Sequence, residues 1–220
     1  MKVALLANTR NKYTNAVWKA ISLVDEVELN PPLDVLGEFD YGVSWFYNLI
    51  LKQEHIDAVR YGIVNNHIGR LPAGRGAAPN VWAIAYGEPA GVTMHWIDAG
   101  VDTGKILFQA KTTLLATDTG ETLYNRLVDD MFALFCEKWP IIRNARLARG
   151  NSGKLQVGDY KTYKMRDLQE MDDLEGWFGI DMANNFVDIL RARTFTGHES
   201  AYVRDESGKK VFVRVTLENE

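Results

Sequence analysis

Lys2-Val3-Ala4-Leu5-Leu6-Ala7 is a short apolar run without alternation, and Tyr13, Val17, Ala20, Ile21 and Val24 follow it at helical spacing. An unalternating strand has to be covered on both faces, as in a parallel sheet. The spacing after it describes an amphipathic helix over 12–24. The alternation then repeats along the chain. Val27 and Leu29 give a brief strand that Asn30-Pro31-Pro32 interrupts. Tyr41 to Tyr47 and Gly62 to Asn66 read as strands, the second running into a loop over 70–79. Residues 80–86 suggest a helix, and 91–97 and 105–113 suggest strands. Thr119 is placed to cap a helix over 122–138 whose Leu123, Leu127, Val128, Met131, Leu134 and Phe135 share one face. Pro140 is expected to stop or kink that helix. Strands alternating with helices imply an α/β protein with a mostly parallel sheet.

Arg149-Gly150-Asn151-Ser152-Gly153 is the natural boundary, giving a main domain at 1–150 and a small α+β extension at 151–220. The extension is expected to hold a helix over 181–192, carried by Met182, Phe186, Ile189 and Leu190. A hairpin follows, with Tyr202-Val203-Arg204 and Val211 to Val215 flanking the turn Asp205-Glu206-Ser207-Gly208. With 46% apolar residues in 220, the chain can supply a core, which excludes a disordered protein. Uncharged apolar runs such as Val3 to Ala7 are far short of the ~20 residues of a membrane span, so no membrane association is expected. One cysteine, Cys136, forbids an intrachain disulfide and is expected to be a small buried or half-buried group on the 122–138 helix. A cytoplasmic protein is expected. Net charge is −4, divided as −1 over 1–150 and −3 over the rest, so neither part has the basic excess of a nucleic-acid binder.

The chemistry concentrates between Asn65 and Gln109. Asn65 and His67 lie two apart at the end of an expected strand and so face one side. Asp102 sits in Asp98-Ala99-Gly100-Val101-Asp102-Thr103-Gly104, where two glycines permit turns that bring a carboxylate back toward the imidazole. An amide can hold a developing oxyanion, and an imidazole can move protons near neutral pH beside a carboxylate. Together they suit acyl transfer to an amine. With no serine or cysteine in the set, direct transfer is favoured over an acyl-enzyme. A capped turn with a structural histidine stays open as the bland alternative. At the end of the first strand, Asn8 and Arg10 are either solvated loop residues or ligands for an anion, Arg through its paired donors. Tyr47, with Trp45 and Phe46, can stack on a base or pterin, or simply belong to an apolar strand. His95 reads as structural or supporting. No His, Cys, Asp and Glu spacing resembles a metal site.

Asn65-Asn66-His67, then Leu71-Pro72-Ala73-Gly74-Arg75-Gly76 and Pro79, resembles the signature of the folate-dependent formyltransferases. Gly91-Val92-Thr93-Met94-His95 and Asp102-Thr103-Gly104-Lys105-Ile106-Leu107-Phe108-Gln109 are similar to its second signature. The resemblance implies a Rossmann-like formyltransferase fold, with Asn65, His67 and Asp102 as the catalytic set. It implies N10-formyltetrahydrofolate as donor and a primary amine as acceptor, with the amine attacking the formyl carbon while Asn65 and a protonated His67 hold the oxyanion. Leu49, Ile50, Ala99, Gly100, Val101 and Asp102 are the folate candidates it implies. The stretch Asp188 to Phe195, with Ala201-Tyr202 and Lys210 to Val213, resembles the tail of sugar N-formyltransferases. That tail implies a nucleotide-linked amino sugar as substrate, such as a dTDP- or GDP-4-amino-4,6-dideoxyhexose, and a homodimer. Arg70 and Arg75 join Asn8, Arg10 and Tyr47 as expected substrate contacts. Glycinamide ribonucleotide or methionyl-tRNA as acceptor, or a silent folate- or nucleotide-binding module, are the alternatives. Two departures stand out. Gly69-Arg70 replaces the family's Ser-Leu before Leu71-Pro72, and the chain is one βα unit short ahead of Asn65.

Overall fold

The computed structural model describes residues 1–8, 11–115, 118–172, 182–204 and 208–216. Strand β1 (Lys2–Ala7) leads into helix α1 (Lys12–Ser22), whose N-terminus is capped by the Asn11 side chain accepting from the N–H groups of Tyr13 and Thr14. Then come β2 (Glu26–Leu29), a 3₁₀ helix over Leu33–Glu38, β3 (Tyr41–Trp45), α2 (Gln53–Ala58) and β4 (Ile63–His67). They are followed by β5 (Arg75–Gly76), α3 (Pro79–Tyr86), β6 (Gly91–Trp96), β7 (Ile106–Lys111) and α4 (Gly120–Asn144). The C-terminal part adds β8 (Thr162–Tyr163), α5 (Met165–Asp172), α6 (Met182–Ala192), β9 (Tyr202–Arg204) and β10 (Lys210–Phe212).

The central sheet has the order β2-β1-β3-β4-β6-β7. The first four strands are parallel; β6 and β7 pair antiparallel. Local pattern gives strand positions but not directions. A parallel β6–β7 pair needs a crossover of about a dozen residues or more, and only residues 97–105 join them. The apolar run of β1 is explained by what lies on each side. Val3 and Leu5 face the layer that contains Val17 and Ile21 of α1 and Leu127 and Phe135 of α4. Ala4 and Leu6 face Leu36, Phe39 and Ile56. Both faces of the strand are therefore dry, and each residue from Val3 to Ala7 is at most 3% exposed.

Helix α4 corrects two expectations. It passes through Pro140 to Asn144. Proline in a helix interior costs about 3 kcal/mol, but it is exposed here, while Trp139 and Ile142 beside it are buried. Trp139 lies edge-on to Tyr41 and stacks on Phe135. That packing holds the last turn in place. Cys136 is exposed, although Phe135 before it and Trp139 one turn on are buried.

The C-terminal hairpin forms, with Val211 opposite Val203, although the turn residues Asp205, Glu206 and Ser207 lie outside the described residues. Before it, residues 154–163 cross back over the first part. Lys154 bridges Ile106, and β8 pairs in parallel with β5. Tyr163 stacks on Trp82 at 4.2 Å between ring centroids, with its hydroxyl on Glu88. Gly76 makes this approach possible: it has φ of +84°, and a Cβ there would lie 2.1 Å from the carbonyl oxygen of Tyr163. Among the described residues no helix is long and apolar enough to cross a membrane.

Candidate active site

Strand β4 presents Asn65 and His67, and the loop after β6 folds back to set Asp102 beside them. Asp102 adopts φ of +53°, a left-handed conformation that aspartate tolerates better than most residues. Its Oδ2 accepts the N–H of Gly76 at 2.9 Å and stands 3.6 Å from Nδ1 of His67. Its Oδ1 accepts from Asn65 Nδ2 at 3.1 Å and lies 3.3 Å from Nε2 of His95.

The hydrogen-bond partners fix the proton positions. The carbonyl of Trp96, 2.9 Å from His95 Nδ1, can only accept, so Nδ1 carries hydrogen. In the neutral ring Nε2 then accepts from Asn65 Nδ2 at 3.0 Å. With that ring neutral, both amide hydrogens of Asn65 are used inside the site, one on Asp102 and one on His95. By the same argument His67 donates from Nε2 to the carbonyl of Gly74 at 2.8 Å, leaving Nδ1 as a lone pair on the Asp102 side.

Charge follows from burial. His67 is 8% exposed, and burial pulls its pKa below the ordinary histidine value despite the opposing pull of Asp102. Burial thus favours the neutral ring, while the Asp102 carboxylate favours the imidazolium. For Asp102 burial acts to raise the pKa, but the neighbouring imidazoles of His67 and His95 and the N–H of Gly76 outweigh it. Its carboxyl group is held far below the usual carboxylate range.

Gly69, one of the two departures from the family signature, has a local reason. A Cβ at that position would lie 2.4 Å from Nε2 of His67 and 2.7 Å from the carbonyl oxygen of Gly74. Any side chain there would push apart the bond that orients the imidazole.

Two cavities meet at this cluster. The first, of about 960 Å³, holds Leu49, Ile50 and the backbone of Ala99 to Asp102 in its wall, together with Asn8 and Tyr47. Leu49 and Ile50 project from the loop after β3 and are 60% and 85% exposed, unusual for large apolar side chains. Asn8 accepts the N–H of Asn48 at 2.8 Å and so ties the β1 and β3 ends together. The second cavity, of about 700 Å³, contains His67 and is closed by Leu168 of α5 and by Arg193, Phe195 and His198 from the C-terminal part. Asn65, Asp102, Gly76, Phe46, Tyr47 and Tyr124 line both cavities.

Not every expected contact is found there. Arg70 and Arg75 line neither cavity. Arg70 lies beside Gly91, and the guanidinium of Arg75 is occupied by Gln156. Arg10 lies outside the described residues. Conversely, the second cavity brings in Arg193 and His198, which sequence reasoning does not single out, and His95 supports the site by bridging Asn65 and Asp102. The run Arg191-Ala192-Arg193-Thr194-Phe195 signalled the first only as part of a tail. Among the described residues no group of three or more His, Cys, Asp and Glu side chains is placed to hold a metal ion.

Comparison with known proteins gives this geometry a setting. Residues 33–137 match the family model described as formyl transferase, and residues 181–219 match that of the N-formyltransferase dimerization C-terminal domain. A dTDP-4-amino-4,6-dideoxyglucose formyltransferase of Mycobacterium tuberculosis is 33% identical over 191 residues, spanning 85% of this chain and 77% of that protein. A formyltransferase from Anoxybacillus kamchatkensis, solved with UDP-4,6-dideoxy-4-formamido-L-AltNAc and tetrahydrofolate, is 29% identical. It superposes with a TM-score of 0.68 over 84% of this chain and 95% of its own. The fold is shared more fully, at a TM-score of 0.87, with a sugar N-formyltransferase from Shewanella. That likeness covers 100% of this chain and 99% of the other at 21% identity.

Proposed function

The chain belongs to the formyltransferase family, and on that premise we propose that it formylates the amino group of a nucleotide-linked amino sugar. The donor is N10-formyltetrahydrofolate, and a dTDP- or GDP-linked 4-amino-4,6-dideoxyhexose is the acceptor class. One observation carries this reading: two adjoining cavities share the Asn65 amide and the Asp102 carboxylate, and the His67 imidazole lines the second. A two-substrate transfer without an acyl-enzyme needs that arrangement.

The first cavity suits the donor. Leu49, Ile50 and Val101 offer apolar contact for a flat heterocycle, and the Ala99 to Asp102 backbone offers hydrogen bonds to its edge. Bound there, the folate supplies an activated formyl carbon and a nitrogen leaving group. The second cavity then receives the acceptor, with Arg193 as a cation for the diphosphate and Phe195 as an aromatic wall.

Attack by the neutral amine puts negative charge on the formyl oxygen and positive charge on the amine. Asn65 is the donor for the oxygen. Turning one N–H from His95 toward it exchanges a neutral hydrogen bond for a charge-assisted one and keeps the bond to Asp102. His67 receives the amine proton at Nδ1, where Asp102 steadies the imidazolium, and the proton passes on to the departing nitrogen. His95 orients Asn65 through its accepting Nε2.

The match of residues 181–219 to a dimerization model supports a homodimer paired through α6 and the β9–β10 hairpin. A cytoplasmic location, where the donor and nucleotide sugars are dissolved, belongs to the same reading. The test is a panel of dTDP-, GDP- and UDP-linked amino sugars incubated with N10-formyltetrahydrofolate, with formamido product read by mass spectrometry. Product from one class is expected. Formylation of glycinamide ribonucleotide or initiator tRNA alone would overturn the acceptor assignment.

A further inference from the structure

Gln156 lies 54 residues after Asp102 in sequence and touches the loop that carries it. Its Nε2 donates to the main-chain carbonyls of Asp102 and Gly104, both at 2.8 Å. Its Oε1 accepts from Nε and Nη2 of Arg75 at 2.9 and 2.7 Å. Arginine has no acceptor, and a carbonyl has no donor, so this amide fits in one orientation only. The next residue, Gly76, donates its N–H to the Asp102 carboxylate. Asp102 is therefore gripped at both ends, by Gly76 on the side chain and by Arg75 through Gln156 on the main chain.

The grip has a mechanical purpose. A left-handed aspartate persists only where its surroundings over-determine it. The β5–β8 pairing and the Lys154–Ile106 bridge hold Gln156 in place from both sides.

We infer that Arg75 and Gln156 form a clasp that positions Asp102 against His67, so that the C-terminal part sets the geometry of the catalytic carboxylate. Arg75 is on this account a positioning residue and not a diphosphate ligand. The inference rests on the formyl-transfer reading for its kinetic consequences. The arrangement of His67 and Asp102 can be read without it.

Gln156→Glu is the discriminating variant. It keeps a partner for Arg75 but cannot donate to the two carbonyls. With the full chain, N10-formyltetrahydrofolate and the acceptor that the panel selects, kcat is expected to fall about 10- to 100-fold, the size of a small misplacement. KM for both substrates should stay within about threefold, since neither cavity is lined by Gln156. Arg75→Leu combined with Gln156→Leu should be no worse than the poorer single variant, as for residues acting as one unit. Wild-type kcat in Gln156→Glu, or full additivity in the double variant, overturns the clasp.

A second arm follows the His67 imidazole by NMR. Its titration in Gln156→Glu should move by about half a pH unit or more as the carboxylate shifts. An unmoved titration overturns the clasp. If the wild-type chain formylates nothing, the functional proposal fails, and this arm still decides the clasp.

Discussion

Nδ1 of His67 stands 3.6 Å from Oδ2 of Asp102, beyond hydrogen-bond reach but near enough for a carboxylate to favour an imidazolium. Burial works against charging this imidazole, and the carboxylate beside it favours the charge once a proton arrives. That is the arrangement a proton carrier needs, because stabilisation is given to the transition state and withheld from the ground state.

His67→Asn and Asp102→Asn are each expected to lose at least about 10² in kcat while still binding donor, the size of general acid–base and oxyanion contributions. Steady-state kinetics with a folate titration checks both. Turnover near that of the wild type in either variant would remove them from the mechanism.

Acid should weaken the fold in two stages. The folded pKa of His67 lies below its unfolded value near 6.5, so the stability it lends is full above that pH. As pH falls below about 6.5 the unfolded chain takes up a proton the folded chain refuses, and stability drops by at most about 1.4 kcal/mol per pH unit. Asp102, whose folded pKa is also depressed, adds a later loss below about pH 4. Urea midpoints measured from pH 7.5 to 5 should show the first stage in the wild type and a smaller one in His67→Asn. A flat wild-type profile over that range contradicts the burial argument.

Ile50 should matter to the donor and not to the fold. At 85% exposure it contributes little to the core, so Ile50→Ser should leave Tm within a degree or two of wild type, the usual result for surface changes. If it covers a bound heterocycle, the donor KM rises about tenfold, the value of burying a similar apolar side chain. An unchanged donor KM would place the folate elsewhere.

Arg193→Ala should weaken nucleotide-sugar binding by about tenfold or more, as expected on losing a charge-assisted contact, with folate affinity unaltered. Calorimetry with each ligand alone separates the two. Loss of folate affinity instead would mean that the cavities are assigned the wrong way round.

Much of this arrangement is legible in the chain itself because its cues are local. The β1 run announces a strand covered on both faces, the run from Tyr41 announces a second strand, and the 3–4 spacing of Leu123 to Phe135 announces α4. Asn65 and His67 share a side by strand geometry alone. What stays hidden depends on distant partners. Strand direction in β6 and β7 follows from how short their connection is, and Pro140 is tolerated because of Trp139 and Ile142 packing. Arg75 looks like a ligand for phosphate until Gln156, 81 residues later, is seen to occupy it. The Arg193 placement likewise depends on α6 packing against α3 and α4, which its own sequence does not state.

The pairing of Arg75–Gly76 with Thr162–Tyr163 decides where this protein can be recombined with its relatives. The glycine-rich break at 149–153 invites a splice there, yet a chimera cut at that point would import a foreign strap against the native β5. A junction placed after Tyr163 keeps Gln156, Tyr163 and Gly76 from one parent while exchanging α5, α6 and the hairpin. Such a cassette of the last 57 or so residues would carry Arg193, Phe195 and His198 of the second cavity, and would leave Asn65, His67 and Asp102 with their own fastening.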